Sequence, residues 1–221
     1  MTSQTATNPL DREKIPLLIL GDGTFALETL DIAESTGRFS PLGFVNSMLP
    51  PPHAKTLAGL PIFFADALPL QPMDCWLVAA MISTARHAFI DMMSKRHFRF
   101  TSIIHPSAVI SKRAHIGSGC IINALSVISH HATIGNHTII NRGALIGHDT
   151  RIAGTCTIGP GANLCGNVTI GDRTTIGASA VALENLTIEH DAVIAAGAVV
   201  TTHVPANARM MGIPAKNISR S

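Results

Sequence analysis

Between residues 104 and 200 the chain places an aliphatic side chain at every sixth position. From Ile104 the series runs Ile110, Ile116, Ile122, Ile128, Ile134, Ile140, Ile146, Ile152 and Ile158. It continues through Leu164, Ile170, Ile176, Ala182, Ile188, Ile194 and Val200, so sixteen of the seventeen are Ile, Leu or Val. The next phase (His105, Ser111, Gly117, Asn123 and onward) holds one such residue, Leu183. Two positions before the aliphatics stand small residues: Ala108, Ala114, Cys120, Ser126, Ala132, Thr138, Ala144. General aliphatic richness would fill the other phases as well. A period of six fits neither the helical repeat nor one face of a flat sheet. It fits a solenoid in which each hexad forms one flat side, the aliphatic pointing inward and the small residue letting the chain turn. Successive coils then pair as parallel strands about 4.8 Å apart. No hexad is broken over this stretch, which predicts a prism without a protruding loop.

The first hundred residues follow another rhythm. Ile15 to Leu20 is a short apolar run, closed by Gly21-Asp22-Gly23 and followed by a helical pattern from Phe25 to Ser35. Pro41 to Val45 fits a second strand, Pro50-Pro51-Pro52 a loop, Cys75 to Ala80 a buried strand, and Thr84 to Arg96 a helix. Strands alternating with helices predict a small α/β unit with a parallel sheet. The glycine turn suits a phosphate at a helix N-terminus. Yet Gly21-Asp22-Gly23-Thr24-Phe25 falls short of a dinucleotide fingerprint and reads equally as a tight turn. The expected division is a flexible tail over 1–14, the α/β unit over 15–103, the coil over 104–203 and a C-terminal tail over 204–221.

Composition narrows the classes. Of 221 residues, 46% are hydrophobic and 14% charged, which describes a packed protein and not a disordered one. A formal charge of +2 with scattered Lys and Arg gives no basic stripe for nucleic acid. No apolar run is long enough to insert in a membrane, and residues 1–14 lack the apolar centre of a signal peptide, so a cytoplasmic setting is expected. Cysteines 75, 120, 156 and 165 show no metal-type pairing. Cys120 and Cys156 occupy small-residue positions of the repeat and read as packing.

One stretch carries the chemistry: Ile140-Asn141-Arg142-Gly143-Ala144-Leu145-Ile146-Gly147-His148-Asp149. Gly159-Pro160-Gly161-Ala162, Cys165-Gly166-Asn167-Val168 and the closing Gly212-Ile213-Pro214-Ala215-Lys216 accompany it. With these motifs the chain, from about Ile15 to Lys216, resembles the hexapeptide-repeat acyltransferases. The resemblance implies a left-handed parallel β-helix with three hexads per coil, assembled as a homotrimer with acyl-CoA in the cleft between prisms. Within that group the chain is most similar to sugar acetyltransferases with an N-terminal Rossmann-like domain, among them nucleotide-sugar N-acetyltransferases and sialic acid O-acetyltransferases.

The resemblance places the catalytic histidine at His148 and its acidic neighbour at Asp149. The chemistry agrees: a neutral imidazole can take the proton of an attacking amine or hydroxyl, and an adjacent carboxylate can fix its tautomer. It also implies acetyl-CoA as co-substrate, met by Thr157, Ala178, Ala196 and Lys216, with no metal. A sugar or sugar nucleotide is implied as acceptor, met by Gly21, Asp22, Gly23, Asn46, Arg86 and Asn141. The chain departs from the pattern at several points. Thr157 stands where relatives often have histidine, Phe25 follows the first turn, and Asn46-Ser47 replaces an acidic pair. Met81-Ile82-Ser83 replaces a Gly-Asn element. The nucleotide therefore stays open. The acceptor is expected to be the amine of an amino sugar attacking acetyl-CoA directly with His148 as base, with O-acetylation of a sugar or sialic acid as the alternative. His130 lies eighteen residues before His148 and should stack beneath it. With His131, His137 and His115 nearby, a metal-dependent hydratase is a competing reading, although such a site needs three convergent ligands. A non-catalytic assembly domain is another.

Overall fold

The computed structural model describes residues 14–46 and 56–219. Most of the expected tail, residues 1–13, lies outside the described residues, as do Ser47 and the proline loop at 50–52.

The N-terminal unit follows the order read from the sequence. Strand β1 (Ile15–Leu20) leads into helix α1 (Thr24–Ser35), then β2 (Phe39–Asn46). A hairpin of β3 (Thr56–Leu57) and β4 (Leu60–Phe64) was not foreseen. Strand β5 (Trp76–Ala79) follows. The helix expected from Thr84 begins as a 3-10 turn over Thr84–Arg86 and becomes α2 at His87–Lys95. A short β6 (Arg99–Phe100) closes the sheet, whose order is β3-β4-β2-β1-β5-β6. Strands β2, β1, β5 and β6 are parallel, and β1 is fully buried from Leu17 to Leu20. The order reverses at β1, which opens a crevice beyond the carboxyl ends of β1 and β5, the place where open α/β sheets bind ligands.

From Ile103 the chain forms two-residue strands at six-residue intervals through Val200, without interruption. They stack into three parallel sheets, each strand pairing with the one eighteen residues away: Ile122 with Ile140, Ile128 with Ile146, Ile134 with Ile152. The second residue of nearly every strand points inward, and these aliphatics form one continuous core with the small corner residues. Cys120 and Cys156 are fully buried in it, and their thiols lie near the carbonyls of Gly135 and Gly171. The strict six ends at Val200. Val204 bridges to Ile188, and Arg209–Met211 stacks on Val193–Ile194 before folding back antiparallel to Lys216–Asn217.

The outward residues distinguish the three faces. On the first face Ile103, Ile121 and Ile139 also point out, and they are buried against Leu17, Ala26, Leu30, Ala33 and Phe39. This is where the α/β unit docks, at the hexads with isoleucine at both strand positions. Further along this face the outward residue is Thr157. The second face presents Val109, Val127, Leu145, Asn163, Val181 and Val199 outward. The third presents His115, Thr133, Arg151, Thr169 and Thr187, and is polar. Among the described residues no helix is long and apolar enough to cross a membrane.

Candidate active site

His148 and Asp149 occupy the corner between the second and third faces. Asp149 has φ 58, a left-handed conformation that Asp, Asn and His tolerate better than most residues. His131, Asn167 and Asn185 take the same conformation in the coils before and after. The turn folds the carboxylate back onto its neighbour, so that Asp149 Oδ2 lies 2.9 Å from His148 Nδ1. An ionised carboxylate only accepts, so the shared hydrogen belongs to Nδ1 and the Nε2 lone pair is left for a proton. The hydrogen bond from His148 holds the Asp149 carboxyl below the usual carboxylate range, as does the nearby His131 to a lesser degree.

The ring is oriented on two further sides. His130 stacks beneath His148, with centroids 5.7 Å apart and planes inclined by 18°, as the eighteen-residue spacing requires. In the next coil stands Gly166, where a Cβ would come within 2.5 Å of His148 Nε2. Only glycine leaves that nitrogen its present place. Gly166 belongs to a motif quoted from the sequence, but its contact with the histidine becomes visible only when the coils are stacked. Among the described residues no group of three or more His, Cys, Asp or Glu is arranged to hold a metal ion.

A second site lies in the crevice of the α/β unit. Gly21, Asp22, Gly23 and Asn46 converge there with Phe25, Met81 and Phe89 around a pocket of about 350 Å³. Gly21 has φ +110 and a Cβ there would press on the Ala80 carbonyl at 3.0 Å, so the turn requires glycine. Asn46 Nδ2 donates to Asp22 Oδ2 at 2.5 Å across the pocket. Apolar walls with a few fixed polar groups are the usual make-up of a small-molecule site. Met81 and Phe89 were missed as lining residues, because nothing in their local sequence places them at the end of β1.

Arg86 and Thr157, expected on the acceptor and on CoA, meet each other instead. Arg86 is 2% and Thr157 3% exposed, and Arg86 Nη1 donates to Thr157 Oγ1 at 2.8 Å. The guanidinium also reaches the carbonyls of Cys156 at 2.7 Å and His137 at 2.9 Å, while Thr157 Oγ1 donates to the Ile82 carbonyl at 2.9 Å. Burial lowers the Arg86 pKa to about 10, which still leaves it charged at neutral pH. The pair rivets the α/β unit to the first face. Asn141 is also buried, at the corner between the first and second faces, where its side-chain oxygen accepts from Arg142 N at 2.8 Å. Ala178 and Ala196 are exposed along that same corner, stacked one coil apart through Gly197 N to Ala178 O at 2.8 Å. The turn ending in exposed Lys216 bonds to Val199 just beyond them. Within one chain, His148 and the alanine strip therefore border opposite edges of the second face.

Residues 113–148 and 149–182 match the family model described as bacterial transferase hexapeptide (six repeats). Among curated protein sequences none matches the chain significantly. Solved structures do. A histidine-to-asparagine variant of perosamine N-acetyltransferase from Caulobacter crescentus, in complex with CoA and GDP-perosamine, superposes with a TM-score of 0.85 at 28% identity, over 93% of this chain and 97% of that one. The acetyltransferase domain of PglB from Neisseria gonorrhoeae, in complex with acetyl coenzyme A, gives 0.85 at 25% identity over 93% and 100%. WeeI from Acinetobacter baumannii shares the fold, at 20% identity and a TM-score of 0.77. The resemblance to hexapeptide-repeat sugar acetyltransferases is borne out by these matches together with the coil.

Proposed function

We propose that this chain transfers the acetyl group of acetyl-CoA to the amine of a nucleotide-linked amino sugar. The observation that carries the reading is the match along nearly the whole chain to a structure holding CoA and GDP-perosamine, in a protein that presents both a crevice pocket and an oriented His–Asp pair. In this reading the α/β unit is a Rossmann-type acceptor-binding domain over 15–103. The β-helix over 104–203 is left-handed and carries the transfer, and 204–221 lies near CoA. The Gly21–Asn46 pocket holds the nucleotide, and a cytoplasmic setting supplies both substrates.

His148 Nε2 takes the proton as the amine attacks the thioester carbonyl. The new N–C bond forms, the C–S bond breaks, and the proton passes from the imidazolium to the departing thiolate. Asp149 keeps Nδ1 protonated and stabilises the transient cation. Ala178 and Ala196 fit the pantetheine arm because their methyl groups leave the corner smooth and its backbone accessible, with Lys216 as a point charge for a phosphate. Those residues and His148 border opposite edges of the second face, so a complete site draws on two chains. The apolar residues along that face, with Val109 63% and Leu145 42% exposed, support a homotrimer built on it.

The test is to supply acetyl-CoA with GDP- and UDP-linked amino sugars, GDP-perosamine among them, and with their hydroxyl counterparts. CoA release and mass spectrometry of the product locate the acetyl group. N-acetylation of a nucleotide amino sugar is expected; acetylation of hydroxyl compounds alone would overturn the reading in favour of O-acetyl transfer. Sedimentation should show a trimer, and a fully active monomer would remove the shared cleft.

A further inference from the structure

We infer that His131 is a positioning residue for the His148–Asp149 pair, gripping the second carboxylate oxygen of Asp149 from the coil beneath. The inference rests on the acetyl-transfer reading for its kinetic consequence. Its geometry stands independently of that reading. Asp149 Oδ2 faces His148 Nδ1 at 2.9 Å, while Oδ1 faces His131 Nδ1 at 3.4 Å. The backbone brings them together: His131 and Asp149 occupy the same left-handed turn position in successive coils, with φ 59 and 58, and Asp149 N donates to His130 O at 3.2 Å. His131 in turn leans edge-on against His130, with centroids 4.9 Å apart, and His130 is the floor beneath His148. The three imidazoles and the carboxylate thus form one closed set of contacts.

A carboxylate engaged through a single oxygen is free to rotate about its last torsion, and its partner imidazole then turns with it. Engaging both oxygens removes that freedom. The base is fixed in plane by Asp149 and from below by His130, and its side chain remains 58% exposed. Orientation of this kind governs the rate of attack far more than the stability of the fold, since exposed ion pairs contribute little to stability. His131 does not touch the reacting atoms in this scheme and acts through Asp149.

The same column supplies a conservative replacement. Two coils above His131, Asn167 Nδ2 donates to Asn185 Oδ1 at 2.9 Å across the same eighteen-residue step. An asparagine at 131 can therefore present an amide to Asp149 as Asn167 does to Asn185. His131→Gly keeps the left-handed turn and removes the donor, and His131→Asn keeps both. We expect kcat to fall about tenfold in His131→Gly with the KM for acetyl-CoA unchanged within about twofold, and His131→Asn to recover most of the loss, the scale of a modest misorientation. Imidazole ¹⁵N spectra give a readout that needs no turnover. The Nδ1-protonated tautomer of His148 should predominate in the parent protein, decline in His131→Gly and return in His131→Asn. Parent-like kcat and spectrum in His131→Gly would overturn the inference, and so would loss in both variants without rescue by asparagine. If the parent transfers no acetyl group to any sugar, the acetyl-transfer reading fails, and the tautomer comparison alone decides the role of His131.

Discussion

The coil builds the same two-residue device twice. His148–Asp149 and His190–Asp191 are both consecutive, both have the aspartate in the left-handed turn, with φ 58 and 57, and both close an Nδ1···Oδ2 contact, at 2.9 and 2.8 Å. The residue one coil earlier separates them. Below Asp149 it is His131, at 3.4 Å from one oxygen. Below Asp191 it is Arg173, whose Nε and Nη2 reach Oδ1 and Oδ2 at 2.8 and 2.6 Å. The bidentate guanidinium pulls the Asp191 pKa down to about 2 and commits both oxygens to a surface brace. The stacking neighbour differs as well: His130 lies under His148, whereas Asp172 precedes His190 by one coil and binds the Gly154 N–H at 2.8 Å. In a solenoid the dipeptide supplies a shape, and the residues eighteen positions away decide how firmly its carboxylate is held.

The largest expected effect separates the two histidines. His148→Ala should lower kcat by about two to four orders of magnitude, the usual range for a lost general base. His190→Ala should leave it within about twofold, because a solvated surface histidine contributes no transition-state contact. Steady-state kinetics on both purified variants decides this, and equal losses would erase the distinction.

Gly166→Ala sharpens the same contrast without touching either pair. Its methyl carbon would come within 2.5 Å of His148 Nε2, so the ring must tilt. A displacement of this kind should cost roughly a hundredfold in kcat. The melting temperature should stay close to that of the parent, since Gly166 has no positive φ to lose. A variant with full activity would show that the imidazole turns freely.

Asp149→Asn should cost less than His148→Ala, because it disturbs the tautomer without deleting the base. Asp191→Asn should leave turnover alone and show itself in acid. The Asp191 carboxyl titrates lower when folded, at about 2, than a free aspartate carboxyl does at 3.8, so its contribution is present above about pH 4 and is lost as pH falls toward 2. Melting curves of the parent should therefore decline more steeply over that window than those of Asp191→Asn. Parallel curves would mean the brace with Arg173 is negligible in solution. The effect is small, as befits a pair exposed to solvent.

The coil was legible because its information is one-dimensional: an inward aliphatic every six residues and a small residue at each corner determine the strands and their stacking. The first crevice was legible too, since Gly21 to Gly23 and Asn46 sit at strand ends whose order the α/β pattern implies. Other features needed coordinates. Arg86 is expected at the acceptor because the family resemblance places it there, yet its guanidinium makes seven hydrogen bonds to protein oxygens. Its partners at His137, Cys156 and Thr157 lie 51 to 71 residues away, beyond any local pattern. His131 and Gly166 act through neighbours one coil distant, a relation that surfaces only when the sequence is written in rows of eighteen.

The doubled isoleucines of the first face have a consequence for anyone wishing to change what the protein acts on. Ile103, Ile121 and Ile139 are floor to the crevice unit and wall to the prism at once. The halves are consequently poor cassettes. A graft that exchanged only the first hundred residues would set a foreign helix against these three side chains and strand the Arg86 rivet. A workable chimera has to carry across the rungs of that face as far as the partners of Arg86 at Cys156 and Thr157, so its seam belongs above Thr157, inside the repeat, where one rung is much like the next.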